Sequence, residues 1–226
     1  MVADPVRAST RVSIAWSGAP AAEDTDTLVL TINGYSLDLR VVLPGFEGAG
    51  GIDWGTVGLV VELEGSTPAK PLLRWDNILD SHPPPPADLE PLEDVGAFSS
   101  LPNGDVLETG AMFNPKSGKN ESYEEVWRRL PVEQGAEYFV LERGDGQAFL
   151  GRVGSLALGA AKGKDGEYVA WRDELVDGQW KRKYAFGDAL DAAIPGALVE
   201  VPFEWVPGAT VQFGGHDWKV RTAGSV

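Results

Sequence analysis

The chain has 226 residues, 19 of them basic and 34 acidic, so its formal net charge is −15, and it contains no cysteine. That charge opposes approach to nucleic-acid phosphates and to anionic lipid surfaces. The missing thiols exclude disulfides, cysteine nucleophiles, iron–sulfur clusters and cysteine-ligated zinc. The length suits one large β domain or two small ones, either able to bury a core without covalent staples.

The first two dozen residues carry charges and small side chains but no continuous apolar core of the kind a secretory signal needs, and no later run is long and apolar enough to insert into a membrane. The expectation is a non-secreted protein of the cytoplasm and possibly the nucleus. Glycine and proline, 28 and 16 in number, punctuate short alternating runs, the pattern of antiparallel sheets closed or folded on themselves. In the first half, residues 27–32, 36–43, 57–63 and 72–75 read as strands, separated by Asn33-Gly34, the glycine-rich segment 45–51 and the segment 65–71. The run His82-Pro83-Pro84-Pro85-Pro86 predicts an extended surface loop. Residues 94–99 and 105–113 then form a hairpin closed around 101–104. Within it, alternation places Val106, Glu108, Gly110 and Met112 on one face and Leu107, Thr109, Ala111 and Phe113 on the other.

After the turn residues Asn114-Pro115 and Ser117-Gly118, Ser122 precedes Glu125 in capping-box spacing. Tyr123, Val126, Trp127 and Leu130 recur at helical intervals until Pro131, so the pattern predicts a short helix over 122–130. Strands follow at 137–142, 148–157, 167–175, 179–186, 197–202, 210–213 and 217–222, with marked turns at Gly144-Asp145-Gly146, Asp177-Gly178 and Gly214-Gly215. One helical turn is expected within 187–194. The basic residues Lys162, Lys164, Arg172, Lys181, Arg182 and Lys183 alternate with acids, which reads as a solvated hairpin face and not a nucleic-acid site.

Few residues suggest chemistry. His82 and His216 lack metal-ligand spacing, and no nucleophile elbow, phosphate-binding loop, zinc-protease motif or dinucleotide fingerprint occurs. No catalytic residue, cofactor or metal is assigned, and the reading favours a non-enzymatic protein. Among the 34 acids Glu108 stands out, because its alternation places it on the face of Met112, inside a barrel if one closes, where burial would raise its pKa. The eight tryptophans suit small barrels, which use large aromatics as plugs or cavity walls. The candidate ligand-cavity lining is Glu108, Met112, Trp75 and Trp171.

The segment DVLETGAMFNPKSGKNESYEEVWRRL, followed later by GATVQFGGHDWKV, resembles the fungal Hri1 family. Glu108-Thr109-Gly110, Val126-Trp127, the strand 208–211 and the Trp218-centred last strand carry the likeness. The resemblance implies two tandem calycin-like (lipocalin-type) antiparallel β-barrels and association with a casein kinase 1 type protein kinase; no family binding residues transfer onto this chain. The expectation is therefore all-β: an N-terminal barrel over 1–104 and a C-terminal barrel over 105–226, with one short helix between them. Its leading function is that of a non-enzymatic binding or adaptor protein. The alternative is a carrier of a small apolar ligand, or an isomerase or cyclase acting on one, held inside a barrel.

Overall fold

A computed structural model describes residues 5–163, 165–187 and 205–226, and the description below covers these. Fifteen strands and no helix occur among them. The first eight run β1 (Val6–Trp16), β2 (Thr25–Ile32), β3 (Tyr35–Val42), β4 (Ile52–Glu62), β5 (Leu72–Asp80), β6 (Val95–Ser100), β7 (Val106–Asn114) and β8 (Lys119–Arg129). Each pairs antiparallel with the next, and β8 returns to β1, so the sheet closes into an eight-stranded barrel with no free edge. Local chemistry sets the corners. Asn33-Gly34 takes positive φ at both residues, +48° and +87°, as a two-residue hairpin turn matched to strand twist requires.

The second sheet comprises β9 (Glu137–Arg143), β10 (Ala148–Val153), β11 (Leu156–Lys162), β12 (Tyr168–Val176), β13 (Gln179–Phe186), β14 (Thr210–Phe213) and β15 (His216–Ser225). Their order is β13-β12-β11-β10-β9-β15-β14. Where a second closed barrel is expected, the described residues form this seven-stranded sheet, open between β13 and β14. The strand expected at 197–202 and most of the helical turn expected within 187–194 lie outside the described residues.

The strands differ from the sequence expectation in several places. The helix predicted over 122–130 is strand β8, paired along its length with β7 and β1. Tyr123, Val126, Trp127 and Leu130 do recur at helical spacing, but Tyr123, Glu125, Trp127 and Arg129 also recur at every second position, and two flanking strands decide between the readings. Strand β1 was not foreseen, and the single run at 148–157 is two strands broken at Gly154-Ser155. The division expected at 104/105 falls between β6 and β7, inside the closed barrel, which continues to Arg129.

The barrel and the second sheet share a core. The outward faces of β2 and β3, with Leu28, Leu30, Ile32, Leu37, Leu39 and Val41, pack against Val140, Phe149, Leu158, Ala160 and Ala170 of the second sheet. A second apolar cluster on that sheet's other face includes Phe139, Leu141, Leu150, Trp171, Trp218 and Val220. Polar clamps bridge the two units: Asp26 accepts from Arg172 at 2.9 Å and from the Tyr184 hydroxyl at 2.8 Å, and Asn33 donates to Thr222 at 2.6 Å. Of the basic hairpin face, Arg172 and Lys183 each pair with Glu174 and Asp26, and Arg182 with Asp173, while Lys164 lies outside the described residues. No helix among the described residues is long and apolar enough to cross a membrane.

Candidate functional site

The apolar set of β2 and β3 faces outward, and alternation therefore turns their polar set into the barrel. Val29, Thr31, Ser36, Asp38 and Arg40 point inward, joined by Trp54 from β4, Trp75 from β5, Phe98 from β6, Glu108 and Met112 from β7, and Tyr123, Glu125 and Trp127 from β8. Eight strands enclose room for side chains or one small ligand. Here a cavity of about 130 Å³ remains, reached from the end rimmed by Pro68, Ala69 and Pro71 of the β4–β5 loop. A second hollow, of about 250 Å³, lies at the opposite end against Trp16, Pro20, His82 and Lys116, and shares Arg40, Trp54 and Met112 with the first.

Glu108 stands mid-barrel, opposite Phe98 on one side and Glu125 on the other. It is 5 % exposed, and it accepts from the Tyr123 hydroxyl and from the Trp127 indole Nε1, each at 2.8 Å. Burial, and then the charge of Glu125, raise its pKa to about 8. The neutral acid is thus the favoured form near pH 7. The indole N–H can only donate, so Oε2 is an acceptor in either protonation state. Two glycines make the arrangement possible: a Cβ on Gly96 would meet Glu108 Oε1 at 2.5 Å, and one on Gly110 would meet the Tyr123 hydroxyl at 2.6 Å. Burial likewise raises Asp94, just before β6, to about 6.

Beside this acid lies an ion-pair chain. Glu125 Oε1 accepts from Arg11 at 2.7 Å and from Arg40 at 3.1 Å. Arg40 continues to Asp38 Oδ2 at 2.8 and 2.9 Å, and Arg11 to Glu23 at 2.8 Å. Burial acts against the charge of Arg40, but Asp38 and Glu125 outweigh it and its pKa is raised. Its guanidinium lies 4.9 Å from the Trp54 ring centroid and 5.6 Å from that of Trp127, and Trp54 stacks on His82 at 5.1 Å. Asp38 Oδ1 is buried without a hydrogen-bond partner among the described residues, and burial raises its carboxyl above the ordinary range.

Glu108, Met112 and Trp75 thus come together around the cavity. Trp171 does not join them: it is fully buried in the apolar cluster of the second sheet, with Arg182 packed 4.8 Å over its ring. His216 lies in the β14–β15 hairpin. Pro83 to Pro86 are exposed, in the loop that leaves β5 beside the second hollow. No group of three or more His, Asp or Glu among the described residues is placed to hold a metal ion. Sequence reasoning missed Asp38, Arg40, Asp94 and Glu125. The available signal was the alternation of Ser36, Asp38 and Arg40 on β3, which looks the same for a solvent-facing strand.

A family model described as Protein HRI1 matches residues 7–221. A crystal structure of an uncharacterized protein, YLR301w, from Saccharomyces cerevisiae superposes with a TM-score of 0.77 at 19 % identity, covering 98 % of this chain and 100 % of that one. At that identity the likeness speaks for the fold alone. No curated protein matches the chain.

Proposed function

The chain belongs to the Hri1 family, and on that basis we propose that it is a binding protein whose functional site is the interior of the β1–β8 barrel. One observation carries this reading: the barrel encloses a cavity of about 130 Å³ instead of being filled, and its wall combines aromatic rings with buried carboxyls. A small cavity with an apolar body and a few convergent polar groups is the usual form of a ligand site. A purely apolar ligand would leave Asp38 Oδ1 without a partner and offer no donor to Asp94, which costs free energy on burial. The occupant is therefore amphipathic, with a ring or short chain against Trp75 and Phe98 and a polar head turned to the carboxyls. Eight-stranded closure also suits the calycin-like architecture that the family resemblance implies.

Nuclear magnetic resonance titration with one-ring compounds of every charge tests this. Shifts should concentrate on barrel-interior residues and vanish in Thr56→Trp, which fills the cavity. If no compound of any charge perturbs those residues, the reading fails.

A second reading keeps the chain as a cytoplasmic or nuclear adaptor for a casein kinase 1 type protein kinase. It draws on the family resemblance and on the net charge of −15, which suits a basic docking face. A low-salt pull-down that recovers no kinase removes it.

A further inference from the structure

The barrel interior is short of cations below its rim. Arg11 and Arg40 stand among four carboxylates already, Glu23, Asp24, Asp38 and Glu125. Glu108 and Asp94 line the same space, and among the described residues neither forms a salt bridge; Arg40 acts on both only from a distance. Arg7 and Arg129 also line the cavity, but at its mouth, at the start of β1 and the end of β8. Tyr123 adds a neutral hydroxyl. The deep part of the cavity thus holds more carboxyl than cation, and burial first, then the neighbouring carboxylates, raise the proton affinities of Asp94 and Glu108. One oxygen there, Asp38 Oδ1, is buried with no hydrogen bond from any described residue. Above it, Trp75 and Phe98 stand 5.9 Å apart in tilted contact.

The geometry points to a small organic cation as the ligand class: an ammonium-headed molecule with a body about one aromatic ring across, its head between Asp38 and Asp94 and its ring against Trp75 and Phe98. This rests on the reading of the barrel interior as a binding site. Size and charge agree. A cavity of about 150 Å³ accepts benzene, and the space here is about 130 Å³. An ammonium supplies the donors that the carboxyls lack, in a low-dielectric site faced by aromatic rings.

Three probes of matched shape separate the classes: 2-phenylethylammonium, 2-phenylethanol and 3-phenylpropionate, titrated against the full chain with barrel-interior amide shifts as readout. The ammonium should bind at least about tenfold more tightly than the alcohol, as expected for a hydrogen bond to a charged group, with the carboxylate weakest. Asp38→Asn should abolish that preference. Asp94→Asn, which keeps the Arg40 pairs with Asp38 and Glu125, should reduce it and serves if Asp38→Asn fails to fold. Equal or tighter binding of the alcohol or the carboxylate at the interior overturns the cation assignment and leaves the cavity as a site. Absence of interior shifts with all three overturns both.

Discussion

The barrel interior and the inner cluster of the second sheet are built from the same materials, tryptophans on antiparallel strands, yet to opposite ends. Around Trp171 and Trp218 the buried cluster is apolar, with Arg182 packed over the Trp171 ring, and both rings are fully buried. Around Trp54, Trp75 and Trp127 the neighbours include arginines and carboxyls, and a cavity remains. In the first region the tryptophans hold the fold together. In the second they shape a space that charges keep polar, at a cost that only a shared network of ion pairs offsets.

The sharpest break of that contrast is a pair of truncations. Trp171→Ala opens a void in a packed core and should cost about 3–5 kcal/mol; Trp75→Ala, whose ring already borders a cavity, should cost well under half of that, with urea unfolding as the measurement. A larger loss from Trp75→Ala would mean that the barrel, and not the second sheet, is the tightly packed region. Next comes Glu125→Ala, which leaves Arg11 and Arg40 facing each other without their common acceptor. A loss of about 3 kcal/mol is expected, the cost of an uncompensated buried charge. Asp26→Asn weakens the clamp between the units by removing the charge that Arg172, Lys183 and Tyr184 share. Its expected cost is about 1–2 kcal/mol, seen as a lower urea midpoint.

The smallest effect is one of pH. The Glu108 carboxyl holds its proton more tightly folded than unfolded, with a pKa of about 8 against an ordinary 4.5. The folded chain therefore binds more protons across that window, and this group's contribution to stability is full below it and is lost as pH rises through about 8. Asp94 acts in the same sense, through about 6. Glu23, Asp24 and Asp26 are held below their ordinary values, so their contribution fades only as pH falls through the acid range. Glu108→Gln, a neutral isostere, should flatten the decline of melting temperature from pH 6 to 8. An unchanged slope would show that Glu108 is ionised in the folded barrel.

Much of the fold was legible because turn chemistry and alternation are local. Strand β13 and the hairpin turns at Asn33-Gly34 and Asp177-Gly178 follow from residues adjacent in the chain, and both turns adopt the positive φ their sequence predicts. Glu108 was legible as an inward residue because it shares a face with Met112. Its partners were not. Tyr123 and Trp127 sit on a segment whose capping-box spacing and helical periodicity outweighed its weaker alternation, and that alternation is weak because a polar interior breaks the apolar–polar rhythm. Trp171 and Trp75 look alike in sequence, each closing a short apolar run before charged residues, and only packing separates a core plug from a cavity wall.

The order of short apolar and polar runs, with glycines and asparagines at the corners, determined by itself that this chain is all-β and where most strands begin and end. Closure of β1 onto β8, and the packing of β2 and β3 against the second sheet, decided which face of those strands is inside. The physical reason is that alternation defines two faces without saying which one meets water. With the apolar face taken by a second sheet, Asp38, Arg40, Glu108 and Glu125 are left to enclose the cavity.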